Sequence, residues 1–138
     1  MSTWLQIKAA VGGEFARHTE TGDALQVEID TDTGRTQVVE LRLYTFAQDE
    51  YLQITSPVAA VADLSHEQVL LALGAMAAVT GGGGLAIYPY GEPSVRKLAV
   101  VHETLIRGFD ADDLASTLSA VAISADLLEK HLTGGDEH

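Results

Sequence analysis

Between Ala24 and Phe46 the apolar residues fall on every second position. Leu25, Val27 and Ile29 alternate with Gln26, Glu28 and Asp30, and after Thr31-Asp32-Thr33-Gly34 the pattern resumes with Val39, Leu41 and Leu43 against Glu40, Arg42 and Tyr44. A period of two sends successive side chains to opposite faces, so both stretches read as strands with one face buried and one wet. Asp and Gly in the intervening segment suit a turn, which makes the pair an antiparallel hairpin. Gln48-Asp49-Glu50 closes a second hairpin onto Tyr51 to Ser56, and Pro57, lacking an amide donor, marks the end of that third strand. A sheet that is wet on one side needs helices on the other.

The helices are legible at both ends of this block. Trp4, Leu5, Ile7, Lys8, Val11 and Phe15 give a short helical spacing, weakened by Gly12-Gly13 at about 1 kcal/mol each. Ser65 and Gln68 form a capping box, in which hydroxyl and amide satisfy orphan backbone donors, and a helix follows as far as Thr80. Leu85 to Tyr90 and Val95 to Leu105 read as two further strands joined by Gly91-Glu92-Pro93-Ser94, a turn of hairpin length. Asp110 caps a last helix with Asp112 and Asp113 at its positive end, and Leu114, Leu118, Val121, Ala125, Leu128 and Leu132 line one face. The expected order is α-β-β-β-α-β-β-α, an α+β fold in which helices pack on an antiparallel sheet. It fills a single domain over residues 1–133, with 134–138 as a disordered tail.

The middle helix carries more information than its position. Val69 to Val79 is apolar all the way round, and such a helix is buried on more than the face that meets its own sheet. The expected cover is the same helix of a second copy, since twofold homodimers are the commonest oligomers. Val69, Leu70, Leu73, Gly74, Ala77 and Ala78 would form that interface, with Gly74 and Ala78 allowing close approach. The alternative is that the N-terminal helix covers it within one chain.

Composition narrows the function. Eight Lys and Arg stand against twenty Asp and Glu, a net charge of −12 spread along the chain. Nucleic acid is not an expected partner, because binding phosphates needs a clustered basic face. Cysteine is absent, which removes disulfides and thiol chemistry. The N-terminus does not read as a signal peptide, and the longest apolar run is far short of the roughly 20 residues that cross a bilayer. A cytoplasmic address, without membrane association, is expected.

No motif supplies chemistry. Gly81 to Gly84 follows a helix and enters a strand, the reverse of a phosphate-binding loop, and reads as a helix end with a loop. Asp30-Thr31-Asp32-Thr33-Gly34 begins like a calcium loop but has Leu41 where a bidentate Glu is required, so a turn is the better reading. His18, His66, His102, His131 and His138 show no metal-ligand spacing, and His102-Glu103 lacks an activated Ser. We expect no catalytic residues, no metal and no cofactor.

The element order resembles the type III secretion chaperone-like fold of the CesT-type effector chaperones and the YbjN-type bacterial proteins. The residues that carry the likeness are Gln53-Ile54-Thr55-Ser56-Pro57-Val58, Gly84-Leu85-Ala86-Ile87, and Leu114 through Leu132 with Ala125-Asp126-Leu127-Leu128-Glu129. Ser56-Pro57-Val58 favours the YbjN-type branch. The resemblance implies an acidic homodimer without enzymatic activity or cofactor, which holds a protein client along apolar surface. On that view Trp4, Ile7, Val11 and Phe15 are the expected client contacts, against the plainer reading that they are core. Two rival functions stay open: a cytoplasmic stress or signalling regulator that binds a folded partner or small ligand through Tyr44, Tyr51, Tyr88 and Tyr90, and a hydrolase built on carboxylates.

Overall fold

The structure, a computed structural model, describes residues 4–15, 17–21, 24–32, 34–78, 84–90 and 95–133. Helix α1 spans Trp4–Glu14 and is followed by strands β1 (His18–Thr21), β2 (Ala24–Asp32), β3 (Arg35–Phe46) and β4 (Asp49–Ala60). Helix α2 (His66–Ala78), strands β5 (Gly84–Tyr90) and β6 (Val95–Leu105), and helix α3 (Leu114–Thr133) complete the chain. All strands pair antiparallel in one sheet of order β1-β2-β3-β4-β6-β5. This is the expected α+β architecture. The glycine run at 81–83, the linker at 91–94 and the tail at 134–138 lie outside the described residues.

One face of the sheet is apolar and covered. Leu25, Val27, Ile29, Val39, Leu41, Leu52, Ile54, Leu98 and Val100 are buried there. Above them α3 presents Leu114, Leu118, Val121, Ala122, Ala125, Leu128 and Leu132, all buried and spaced along one helical stripe. Each such side chain stabilises the fold by about 2 kcal/mol through burial. α1 lies beside α3 and adds Ile7 and Val11.

Three details differ from the sequence reading. A short edge strand, β1, precedes β2; His18-Thr19-Glu20-Thr21 has no apolar alternation to announce it. Strand β4 does not end at Pro57 but runs to Ala60. The missing donor is tolerated because the β3–β4 ladder has already stopped at Glu40 and Thr55, and β4 bulges against β6 between Pro57 and Ala59. Side chains stitch the gap: Ser56 Oγ donates to the Val38 carbonyl and Gln37 Nε2 to the Pro57 carbonyl, both at 2.6 Å. Finally, Asp110 caps a single 3-10 turn at 111–113, accepting from the Asp112 amide at 3.0 Å, and α3 starts only at Leu114. The capping box of α2 forms as expected. The Ser65 amide donates to Gln68 Oε1 at 2.8 Å, and the Gln68 amide to Ser65 Oγ at 3.1 Å.

The β3–β4 turn is strained. Phe46 pairs with Asp49, so Ala47 and Gln48 form a two-residue turn, with φ of 51° and 69°. Such turns favour Asn-Gly, and each ordinary L-residue in the left-handed region costs about 1 kcal/mol. Ala47→Asn with Gln48→Gly is therefore expected to raise stability by about 1 kcal/mol, read as a higher urea midpoint at unchanged slope. An unchanged or lower midpoint would show that the turn stores no such strain.

Candidate partner-binding surfaces

Two surfaces remain uncovered, and they differ in chemistry. The first is apolar. Among the described side chains of α2, Ala72 is wholly buried and Gln68 and Val69 are half-buried, while Leu70, Leu71 and Leu73 remain 54%, 53% and 54% exposed. Among the described residues α2 packs on α3 and β5, and α1 packs on α3. Leu70, Leu71 and Gly74, with Glu67 and His131, line a groove of about 400 Å³ between α2 and α3. On α3, Ile123 and Leu127 precede His131 at intervals of four, so they share its stripe, and both are exposed.

Of the proposed interface residues, Leu70, Leu73 and Gly74 are exposed and Val69 is half-buried. The side chains of Ala77 and Ala78 lie outside the described residues. Leu71, Ile123 and Leu127 belong to the same surface and were not singled out. Leu71 was readable as part of the all-apolar run, whereas the α3 pair sits opposite that helix's buried stripe and looks like incidental surface in sequence.

The expected client contacts on α1 differ in burial. Ile7 and Val11 are fully buried in the core, and Trp4 and Phe15 are partly buried against it. In this structure they fix α1 to the sheet. The apolar residue that α1 does expose is Leu5, at 76%.

The second surface is the uncovered face of the sheet, which is polar and tyrosine-rich. Tyr88 and Tyr90 on β5 lean across β6 towards β4 and β3. Gln53 Nε2 donates to Tyr88 Oη at 2.8 Å, and both tyrosines line a hollow of about 130 Å³ with Glu40, Arg42, Gln53, Thr55 and Pro89. Their reach explains why Thr55 and Ala99 are buried on a face with no helix over it. Tyr44 and Tyr51, cross-strand partners, stack with ring centroids 5.3 Å apart. Glu103 accepts from Tyr44 Oη at 2.9 Å and from Gln53 Nε2 at 2.8 Å. His102 points to the opposite face of β6, so His102 and Glu103 do not converge.

Desolvation, then the hydrogen bond to Glu103, pushes the Tyr44 phenol up to about 12. Tyr88 is raised as well, first by desolvation and next by the Glu103 charge. A phenol raised above its unfolded value of about 10 contributes stability that is complete below pH 10 and is lost as pH climbs from 10 towards 12. Glu103→Gln is expected to lower the pH at which Tyr44 ionises, measured by phenolate absorbance at alkaline pH. An unmoved titration would mean that the carboxylate does not act on the phenol.

Among the described residues no helix is long and apolar enough to cross a membrane, and no group of His, Cys, Asp and Glu is placed to hold a metal ion.

The six-stranded antiparallel sheet with helices on one face is shared with solved structures. Among solved structures, the chain superposes on one from the ExsC–ExsE complex with a TM-score of 0.60 at 14% identity, covering 93% of this chain and 90% of that one. It matches one from the HopA1–SchA chaperone–effector complex with a TM-score of 0.58 at 12% identity, covering 91% of each. YbjN from E. coli matches with a TM-score of 0.56 at 15% identity, covering 96% of this chain and 93% of its own. No protein-family model and no curated protein sequence matches. The shared property is the fold.

Proposed function

We propose that this chain is a non-enzymatic, cytoplasmic protein-binding module of the YbjN type, which works as a homodimer and holds a client or partner protein. The observation that carries the reading is α2, with three leucines within four residues each more than half exposed. Soluble monomers seldom leave such a run of apolar surface open, and an open one marks an interface. A second copy of α2 offers the same leucines and the small Gly74 on a twofold axis, so each copy covers the other.

Client contact would then fall on apolar surface that dimerisation leaves free, with Trp4 and Phe15 at the margin of α1 beside exposed Leu5. One of the fold relatives is a chaperone–effector complex, which supports a protein as the ligand. Light scattering on the native chain and on Leu73→Glu tests the reading, since a native monomer would remove its foundation.

A further inference from the structure

The open face of the sheet handles its carboxylates in two ways. Arg17 reaches Glu28 at 3.5 Å and Asp30 at 2.6 Å, Arg42 holds Glu40 at 2.7 Å, and Arg107 holds Asp49 at 3.1 Å. Glu103 is different. Among the described residues its partners are the neutral groups of Tyr44, Gln53 and Tyr88, and it forms no ion pair. The side chain is exposed, with Tyr44, stacked on Tyr51, bonded to it and Tyr88 close enough to feel its charge.

Tyrosine rings present negative π-faces, and a carboxylate held by phenol and amide donors keeps its charge in a fixed place. Together they select a cation. The same face already shows the interaction, since Lys97 lies over the Tyr90 ring at 5.9 Å from its centroid. A guanidinium suits this cluster better than an ammonium, because its planar fork pairs with a carboxylate while its flat side rests on an aromatic ring. A net charge of −12 draws a basic segment towards the chain.

The geometry points to Glu103, Tyr44, Tyr51 and Tyr88 as a pocket for one arginine side chain of a partner protein, separate from the apolar α2 surface. The occupant rests on the protein-binding reading above, but the pocket is tested alone. NMR shifts of the full chain are followed during titration with acetyl-Gly-Arg-Gly-amide, with its neutral isostere carrying citrulline, and with the lysine analogue. The arginine peptide is expected to shift Tyr44, Tyr51, Tyr88 and Glu103, and to bind about tenfold more tightly than the citrulline peptide, as loss of a charge-assisted pair requires. Glu103→Gln is expected to remove that preference while leaving the far-UV spectrum and solution mass native.

Equal binding of the arginine and citrulline peptides, a lysine peptide as tight as the arginine one, shifts that map elsewhere, or no shift at millimolar peptide would each overturn the assignment. Failure here with a native dimer in light scattering sinks the arginine pocket and leaves the protein-binding reading standing. A native monomer does the reverse.

Discussion

Leu73→Glu is expected to convert the native assembly into folded monomers of 14.6 kDa. Leu73 lies in the middle of the exposed stretch of α2, and twofold symmetry would bring two such glutamates into one apolar seam. Truncating or charging a central apolar anchor costs about 2 kcal/mol or more, so dimer affinity is expected to fall at least about thirtyfold. Folding should survive, because the side chain is 54% exposed within its own chain. Leu5→Glu, at a more exposed position on α1, is the control and should leave the mass at that of two chains. Light scattering over a concentration series distinguishes the cases, and a dimer that persists in Leu73→Glu would move the interface off α2.

The second large effect concerns how α3 is anchored. Arg35, at the start of β3, donates from Nε at 2.9 Å and Nη2 at 2.7 Å to Oδ1 of Asp126, which is buried in α3. Lys130 Nζ approaches the other oxygen at 3.7 Å, and Glu129 stands 3.9 Å from Arg35. Asp126→Ala takes the carboxylate that two Arg35 nitrogens reach away from a side chain that is only 16% exposed. Breaking a buried pair in this way costs about 3 kcal/mol, here partly offset by Glu129, and would lower Tm by about 10 °C. The double replacement Arg35→Met with Asp126→Leu removes both charges and should recover most of the loss. If Asp126→Ala melts like the native chain, water rather than protein surrounds the pair.

How far these features could be read from sequence depended on whether they were local. The alternation in β2 and β3, the Ser65–Gln68 box and the α3 stripe are written within a few residues of one another, and each formed where its pattern lay. Strand β1 was missed because an edge strand of four polar residues has no periodicity to detect. The end assigned to β4 failed for another reason. Pro57 cannot donate to a ladder, yet what tolerates it is its carbonyl's bond from Gln37, twenty residues away, and the Ser56–Val38 bond, which spans eighteen, and no local rule sees them. The same limit explains α1: an amphipathic helix shows which residues are apolar but not whether they face a client or the core, and packing beside α3 put Ile7 and Val11 in the core.

The sequence by itself determined the order of the elements other than β1, the antiparallel pairing within the hairpins, and the surplus of apolar residues on α2, because each is a matter of periodicity and short-range hydrogen bonding. Only the tertiary structure decided that β6 rather than β5 pairs with β4, that α1 packs beside α3, and that Tyr44, Tyr51, Tyr88 and Glu103 come together on one face. Those facts depend on contacts between residues far apart in the chain, 59 positions for Tyr44 and Glu103 and more still for α1 and α3, whose partners are chosen when the sheet curls and the helices settle on one of its faces.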